Sequence, residues 1–130
     1  MNRDTLLALA ERCALAAGWD IALDEAVAVA IGWQRPMLPG VCGPNYEGRN
    51  RYEWHDEQQQ PRGFYPPQFT GSLDAAATLA DGWFRLCAAE AGKWEALGKT
   101  GPWRKAATPA LALTAASLNA LARTQESTPC

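Results

Sequence analysis

Half of the chain's glycines and prolines fall between Gln34 and Pro67, and this clustering constrains the fold more than any other feature. Pro36, Pro39, Gly40, Gly43, Pro44, Gly48, Pro61, Gly63, Pro66 and Pro67 leave no room there for a long helix. Proline lacks the N–H that a helix interior needs, and glycine loses the most entropy when it is ordered. The chain therefore reads as a helical first part, a turn-rich centre, and a last part where regular patterning returns. At 130 residues it has the size of one domain, taken as 1–130 with frayed tails at 1–3 and 124–130. Such a chain buries about two-thirds of its unfolded surface, enough to fold without a metal or a disulfide.

In the first part, Leu6, Leu9, Cys13 and Ala17 recur at helical spacing from Asp4 to Ala17, with Gly18 as the stop. A second helix follows Asp20, with Leu23, Val27, Ala30 and Ile31 as its apolar face and Gly32 as its end. Asp24 and Glu25 fall in its first turn, where the helix dipole favours negative charge. In the centre, Tyr52 and Trp54 alternate with Arg51, Glu53 and His55, which predicts a strand over 51–56, and Gln58-Gln59-Gln60 reads as a loop. Ser72 then caps a helix carrying Leu73, Ala76, Ala77 and Ala80 on one face up to Gly82. Residues 83–88 and 94–97, joined by a turn near Glu90-Ala91-Gly92-Lys93, predict a β-hairpin with Cys87 in its core. Thr108 and Pro109 open a last helix with a buried stripe of Leu111, Ala115, Leu118 and Leu121. The whole predicts an α+β fold with a small, largely antiparallel sheet between helices.

Residues 23–33 and 73–83 share Leu, Asp, two Ala and a final Gly-Trp at equivalent places. The flanking sequence does not repeat, so two alanine-rich helices with similar endings explain the match better than a duplication. Each Gly-Trp, Gly18-Trp19 included, predicts a left-handed glycine cap with the next residue folded back on the helix.

A net charge of −2 disfavours a protein whose main task is coating DNA. No run approaches the roughly 20 apolar residues of a membrane span. Met1-Asn2-Arg3-Asp4 leads into a pattern interrupted by Glu11 and Arg12, unlike a signal peptide, which predicts a cytoplasmic protein. Cys13, Cys42, Cys87 and Cys130 are far apart and read as free thiols, with Cys130 the most reactive.

His55 is the single histidine, so any nucleophile–imidazole pair must use it. On a strand, Glu53, His55 and Glu57 would share one face and could hold a divalent ion, but the wet face of an edge strand explains them as well. Asp20, Asp24, Glu25 and Asp74 all fall in helix first turns, where the dipole accounts for them. No phosphate loop, dinucleotide fingerprint or serine elbow is present. The reading therefore expects no catalytic site, cofactor or metal. Lys93-Trp94, Lys99 and Trp103-Arg104-Lys105 interleave basic and aromatic residues, as single-stranded nucleic-acid binders do. Six tryptophans point instead to a protein interface, with Trp103 and Arg104 as the interaction residues.

The run Pro66-Pro67-Gln68-Phe69-Thr70-Gly71-Ser72-Leu73-Asp74-Ala75-Ala76, followed by Gly82-Trp83, resembles the phage ABA sandwich domain family. That family carries a proline pair and then aromatic-Thr-x-Ser-Leu-Asp-Ala-Ala. Residues 23–26 through Gly32-Trp33 and residues 106–113 are similar to its first part and its closing helix. The resemblance implies a three-layer helix–sheet–helix sandwich from a bacteriophage or prophage, in the cytoplasm of a bacterial host. It implies no activity. The resulting expectation is an accessory protein of unknown biochemical role, acting by protein–protein contact with itself or another phage protein. A nucleic-acid-binding module using the Trp94–Lys105 region is the first alternative, and a small enzyme the second.

Overall fold

Every α-helix among the described residues opens on a side chain that accepts a hydrogen bond from the helix's own first turn. In the computed structural model, which describes residues 2–35, 37–38, 51–63, 65–80, 82–99 and 102–126, Asn2 caps α1 (Arg3–Leu15) through Thr5 at 3.1 Å. Asp20 caps α2 (Ile21–Ala30) through Leu23, and Ser72 caps α3 (Leu73–Ala77) through Ala75. Thr108 does the same for α4 (Pro109–Glu126) through Leu111 at 3.2 Å, with Pro109 at the first position. Each cap pairs a donor that the helix itself cannot pair. Asn2 and Arg3 belong to the start of α1, and α4 continues past Thr124 to Glu126. Cys42, Cys130 and the side chain of Tyr52 lie outside the description.

The fold is α+β with small antiparallel sheets. β1 (Met37–Leu38) pairs with β2 (Arg51–Tyr52) as a short ribbon. β3 (Phe84–Ala88), β4 (Trp94–Gly98) and β5 (Arg104–Ala106) form an antiparallel sheet in the order β3-β4-β5. A tight turn at Glu90–Gly92, with Ala91 and Gly92 at positive φ, closes the predicted hairpin. The predicted strand over 51–56 is cut to two residues. Beyond Trp54 the chain forms single bridges, His55 to Gln34 and to Pro61, around a turn that starts at Glu57.

α4 is the shaft of the molecule. Ala110 to Leu118 are buried without interruption, so the expected stripe gives way to burial on all sides. A helix that is apolar all round must be enclosed. α1 packs along it most extensively, α3 crosses it, and β4 and β5 cover another side. Phe84, Leu86, Trp94, Ala96 and Ala106 form the sheet's inner face against this core. On the other face Arg85, Cys87 and Lys105 are exposed, which corrects the placing of Cys87 in the hairpin core and leaves this face, among the described residues, without the second helix layer expected there. Strand alternation decides this, because Cys87 is out of phase with Phe84 and Leu86. Leu73 is also exposed, and α3 is only five residues long.

One glycine cap is as predicted. Gly32 has φ +108°, its N–H bonds to Val29 and the N–H of Trp33 bonds to Ala28 at 2.9 Å, the paired bonds of a Schellman ending. The other two differ. α1 ends at Leu15 and Gly18 has no positive φ, while Gly82 (φ +91°) lies five residues beyond α3. The two matched segments thus fold differently after their first turns.

What joins the parts is a buried carboxylate. Asp24 is fully buried in the first turn of α2. Its Oδ1 accepts from the Thr70 N–H and the Thr70 hydroxyl, both at 2.8 Å. Its Oδ2 accepts from the indole N–H of Trp19 at 2.8 Å. The Thr70 hydroxyl in turn accepts from the Asp20 N–H at 2.9 Å. One residue earlier, the Phe69 carbonyl accepts from the Thr114 hydroxyl on α4 at 2.7 Å. The dipole alone does not account for Asp24. It clamps residues 69–72 between α2 and α4.

Thr70→Val keeps the side-chain shape but takes a donor from a buried anion, and should cost about 2–3 kcal/mol. Ser72→Ala removes an N-cap and should cost about 1 kcal/mol. Urea unfolding gives both values. A Thr70→Val midpoint no lower than that of Ser72→Ala would deny Asp24 its role.

Candidate interaction surface

The row Glu53, His55 and Glu57 does not assemble. His55 Nε2 lies 3.1 Å from Glu53 Oε1, while Glu57 turns away and lies over Gly32. The chain leaves the extended conformation after Asp56, so the alternation that would align the three ends one residue too soon. Among the described residues no group of three His, Cys, Asp or Glu side chains is placed to hold a metal ion. Cys13 is sealed on the buried face of α1. Burial, with the nearby charge of Asp24 adding to it, pushes its thiol up to about 12, which removes it as a nucleophile. No helix among the described residues is long and apolar enough to cross a membrane.

The basic and aromatic residues of the Trp94–Lys105 region are dispersed by the sheet. Trp94 faces the core, and Lys93 lies in the exposed turn. Arg104 stands in β5, a strand too short to show any period in the sequence, and its inner-face side chain reaches Glu11 on α1 at 2.8 Å. Lys105, on the outer face, lies 3.8 Å from Glu90. Trp103, just before β5, is 43% exposed. Trp103 and Arg104 are therefore neighbours with different surroundings, one open and one held within the molecule.

Three tryptophans are more than two-fifths exposed, and each has a different setting. Trp19 is bonded to Asp24 and lies close against Gly71, where an added Cβ would come within 2.7 Å of the ring. Trp83 has the Arg85 guanidinium 5.9 Å from its ring centre and also lines a slot of about 140 Å³ with Leu79, Ala80 and Leu121. Trp103 has no hydrogen bond or ring contact among the described residues. It is the least exposed of the three but the one without a bonded partner.

A larger cleft of about 610 Å³ lies between the end of α2, the 56–62 turn and α3. Asp56, 2% exposed, organises its wall. Its Oδ1 accepts from the N–H groups of Gln58 and Gln60, and its Oδ2 takes Arg62 in a two-pronged ion pair at 2.7 Å. The Gln60 N–H foremost, with Arg62 and the Gln58 N–H, holds the carboxyl below the usual aspartate range despite its burial. Asp56 is thus a fixed anion with both oxygens filled, unsuited to proton transfer. Glu57 and Asp74 also line the cleft, and both are exposed. Sequence alternation marked Trp54 for burial, but not Asp56, which shares its face.

Compared with models of known protein families, with curated proteins and with solved structures, the chain shows no significant match.

Because the folded-state pKa of Asp56 is depressed, its stabilising effect is present at neutral pH and is lost as pH falls below the ordinary aspartate value of about 4. Asp56→Asn should therefore have a lower urea midpoint than wild type at pH 7, and the gap should narrow towards pH 2. A gap that stays constant with pH would separate the carboxylate's charge from its effect. Thiol labelling with peptide mapping at pH 8 should modify Cys87 well before Cys13. Equal rates would contradict the burial of Cys13.

Proposed function

We propose that this domain is a bacteriophage or prophage accessory protein that acts by protein–protein contact, through the open side of its three-stranded sheet. Trp103 is the observation that carries the contact: a large apolar ring, 43% exposed, with no bonded partner among the described residues. The phage origin rests on the resemblance of residues 66–76 with Gly82-Trp83, and of residues 23–33 and 106–113, to the phage ABA sandwich domain family. The charges around Trp103 favour a protein over a polyanion. Arg85 and Lys105 share the sheet's outer face with Glu95, and Lys105 is already near Glu90. A strand of nucleic acid is drawn by a continuous basic track, whereas protein interfaces tolerate mixed charge around an aromatic anchor.

Arg104 enters this reading as a support. Its link to Glu11 ties β5 to α1 and so fixes the strand that begins directly after Trp103. The partner is a second copy of the chain or another phage protein.

Trp103→Ala should leave the circular dichroism and urea midpoint near wild type and weaken the contact about 30-fold or more, as expected of an anchor. Sedimentation velocity reads the self-association, and capture from phage-infected cells reads a heterologous partner. A wild type that is monomeric throughout and captures the same proteins as Trp103→Ala would sink the proposal.

A further inference from the structure

The cleft beside Asp56 has a composition the sheet surface lacks. Trp33 and Tyr65 contribute aromatic walls, and buried Phe69 forms part of the floor. Tyr65 is 74% exposed, so its ring is available at the rim. Its charged lining consists of Asp56, Glu57, Asp74 and Arg62, three carboxylates against one guanidinium. Arg62 is spent on Asp56, in the two-pronged pair at 2.7 Å. Glu57 and Asp74 form no ion pair or side-chain hydrogen bond among the described residues. Among the described residues the cleft therefore carries two uncompensated negative charges, with the open ring of Tyr65 at its rim and the half-buried Trp33 in its wall.

We propose that this cleft receives the basic side chain of an extended segment of a partner protein, arginine or lysine. Aromatic faces attract a cation through the negative potential above the ring. Free carboxylates at the same site supply charge-assisted hydrogen bonds, and a guanidinium can use two at once. A volume of about 610 Å³ exceeds one side chain and leaves space for the residues that flank it. The same charge balance repels an acidic segment and leaves a neutral one without partners for the two carboxylates. The site is separate from Trp103, so its test does not depend on the contact proposed for the sheet.

The test is a two-dimensional ¹H–¹⁵N NMR titration of the full chain, reading the Trp33 indole and the Glu57 and Asp74 amides. The probes are a blocked Gly-Gly-Arg-Arg-Gly-Gly peptide, its lysine and citrulline counterparts, and spermidine. The arginine or lysine peptide should give saturable shifts at these three positions below about 10 mM, and the citrulline peptide should bind about tenfold more weakly or worse. The double variant Glu57→Gln/Asp74→Asn should lose at least about tenfold, and so should Tyr65→Ala, whose exposed ring can go without harm to the fold. Glu95→Gln, on the sheet, should change nothing, which separates the cleft from a general effect of net charge. Absence of saturable shifts, equal binding of the citrulline peptide, or indifference to both cleft variants would overturn the proposal. Spermidine binding as tightly as the peptides would overturn the assignment to a protein segment.

Discussion

Taking an aspartate out of water is costly, and the molecule is arranged so that each oxygen of Asp24 is met by a donor rather than by a cation. The backbone and hydroxyl of Thr70 serve one oxygen and the indole of Trp19 the other. Much of the remaining geometry follows. For Thr70 to reach the first turn of α2, the preceding Phe69 must lie in the core, and there its carbonyl meets Thr114 of α4. Two residues after Thr70, Ser72 is already in place to start α3. The carboxylate also reaches the neighbouring helix through its field, as the second cause, after burial, of the raised pKa of Cys13.

The second organising element is α4, and it accounts for the bare side of the sheet. Its alanines, Ala110, Ala112, Ala115 and Ala116 among them, let neighbours approach closely on every side. α1, α3 and the inner sheet face are all used in enclosing it. Among the described residues the helices thus gather on one face of the three-stranded sheet, and its outer face has mixed charge and an open tryptophan. An antiparallel sheet tolerates this, since one face can be wetted. The same economy explains why a chain rich in tryptophan buries Trp54 completely but leaves Trp103 outside.

Features written in local chemistry were legible in the sequence. The caps at Asp20, Ser72 and Thr108, the hairpin with its turn near Gly92, and the ending of α2 at Gly32 all depend on a few adjacent residues. Features set by distant partners were not. A strand such as Arg104–Ala106 has no period of its own and exists because β4 pairs with it. Asp24 reads as an ordinary first-turn acid, and its burial becomes visible only with Thr70, forty-six residues on, beside it. Cys87 was misplaced because residues 83–88 are apolar enough on both faces to hide the phase of the strand. Trp103 and Arg104 divide in the same way, the exposure of Trp103 being readable from its flanks and the link from Arg104 to Glu11 not.

The close approach of Trp19 to Gly71 ties two positions that are far apart in the chain but share one small space. At Gly71 the backbone φ is ordinary, so any residue could adopt it, and what excludes a side chain is the indole ring alone. The indole is held there by Asp24, which is held in turn by Thr70. Drift at these four sites is therefore not free. In a lineage of such chains position 71 could leave glycine only where position 19 had given up its indole. A change at 24 would release both 19 and 70 at once. The quartet would be inherited as a unit or lost as one.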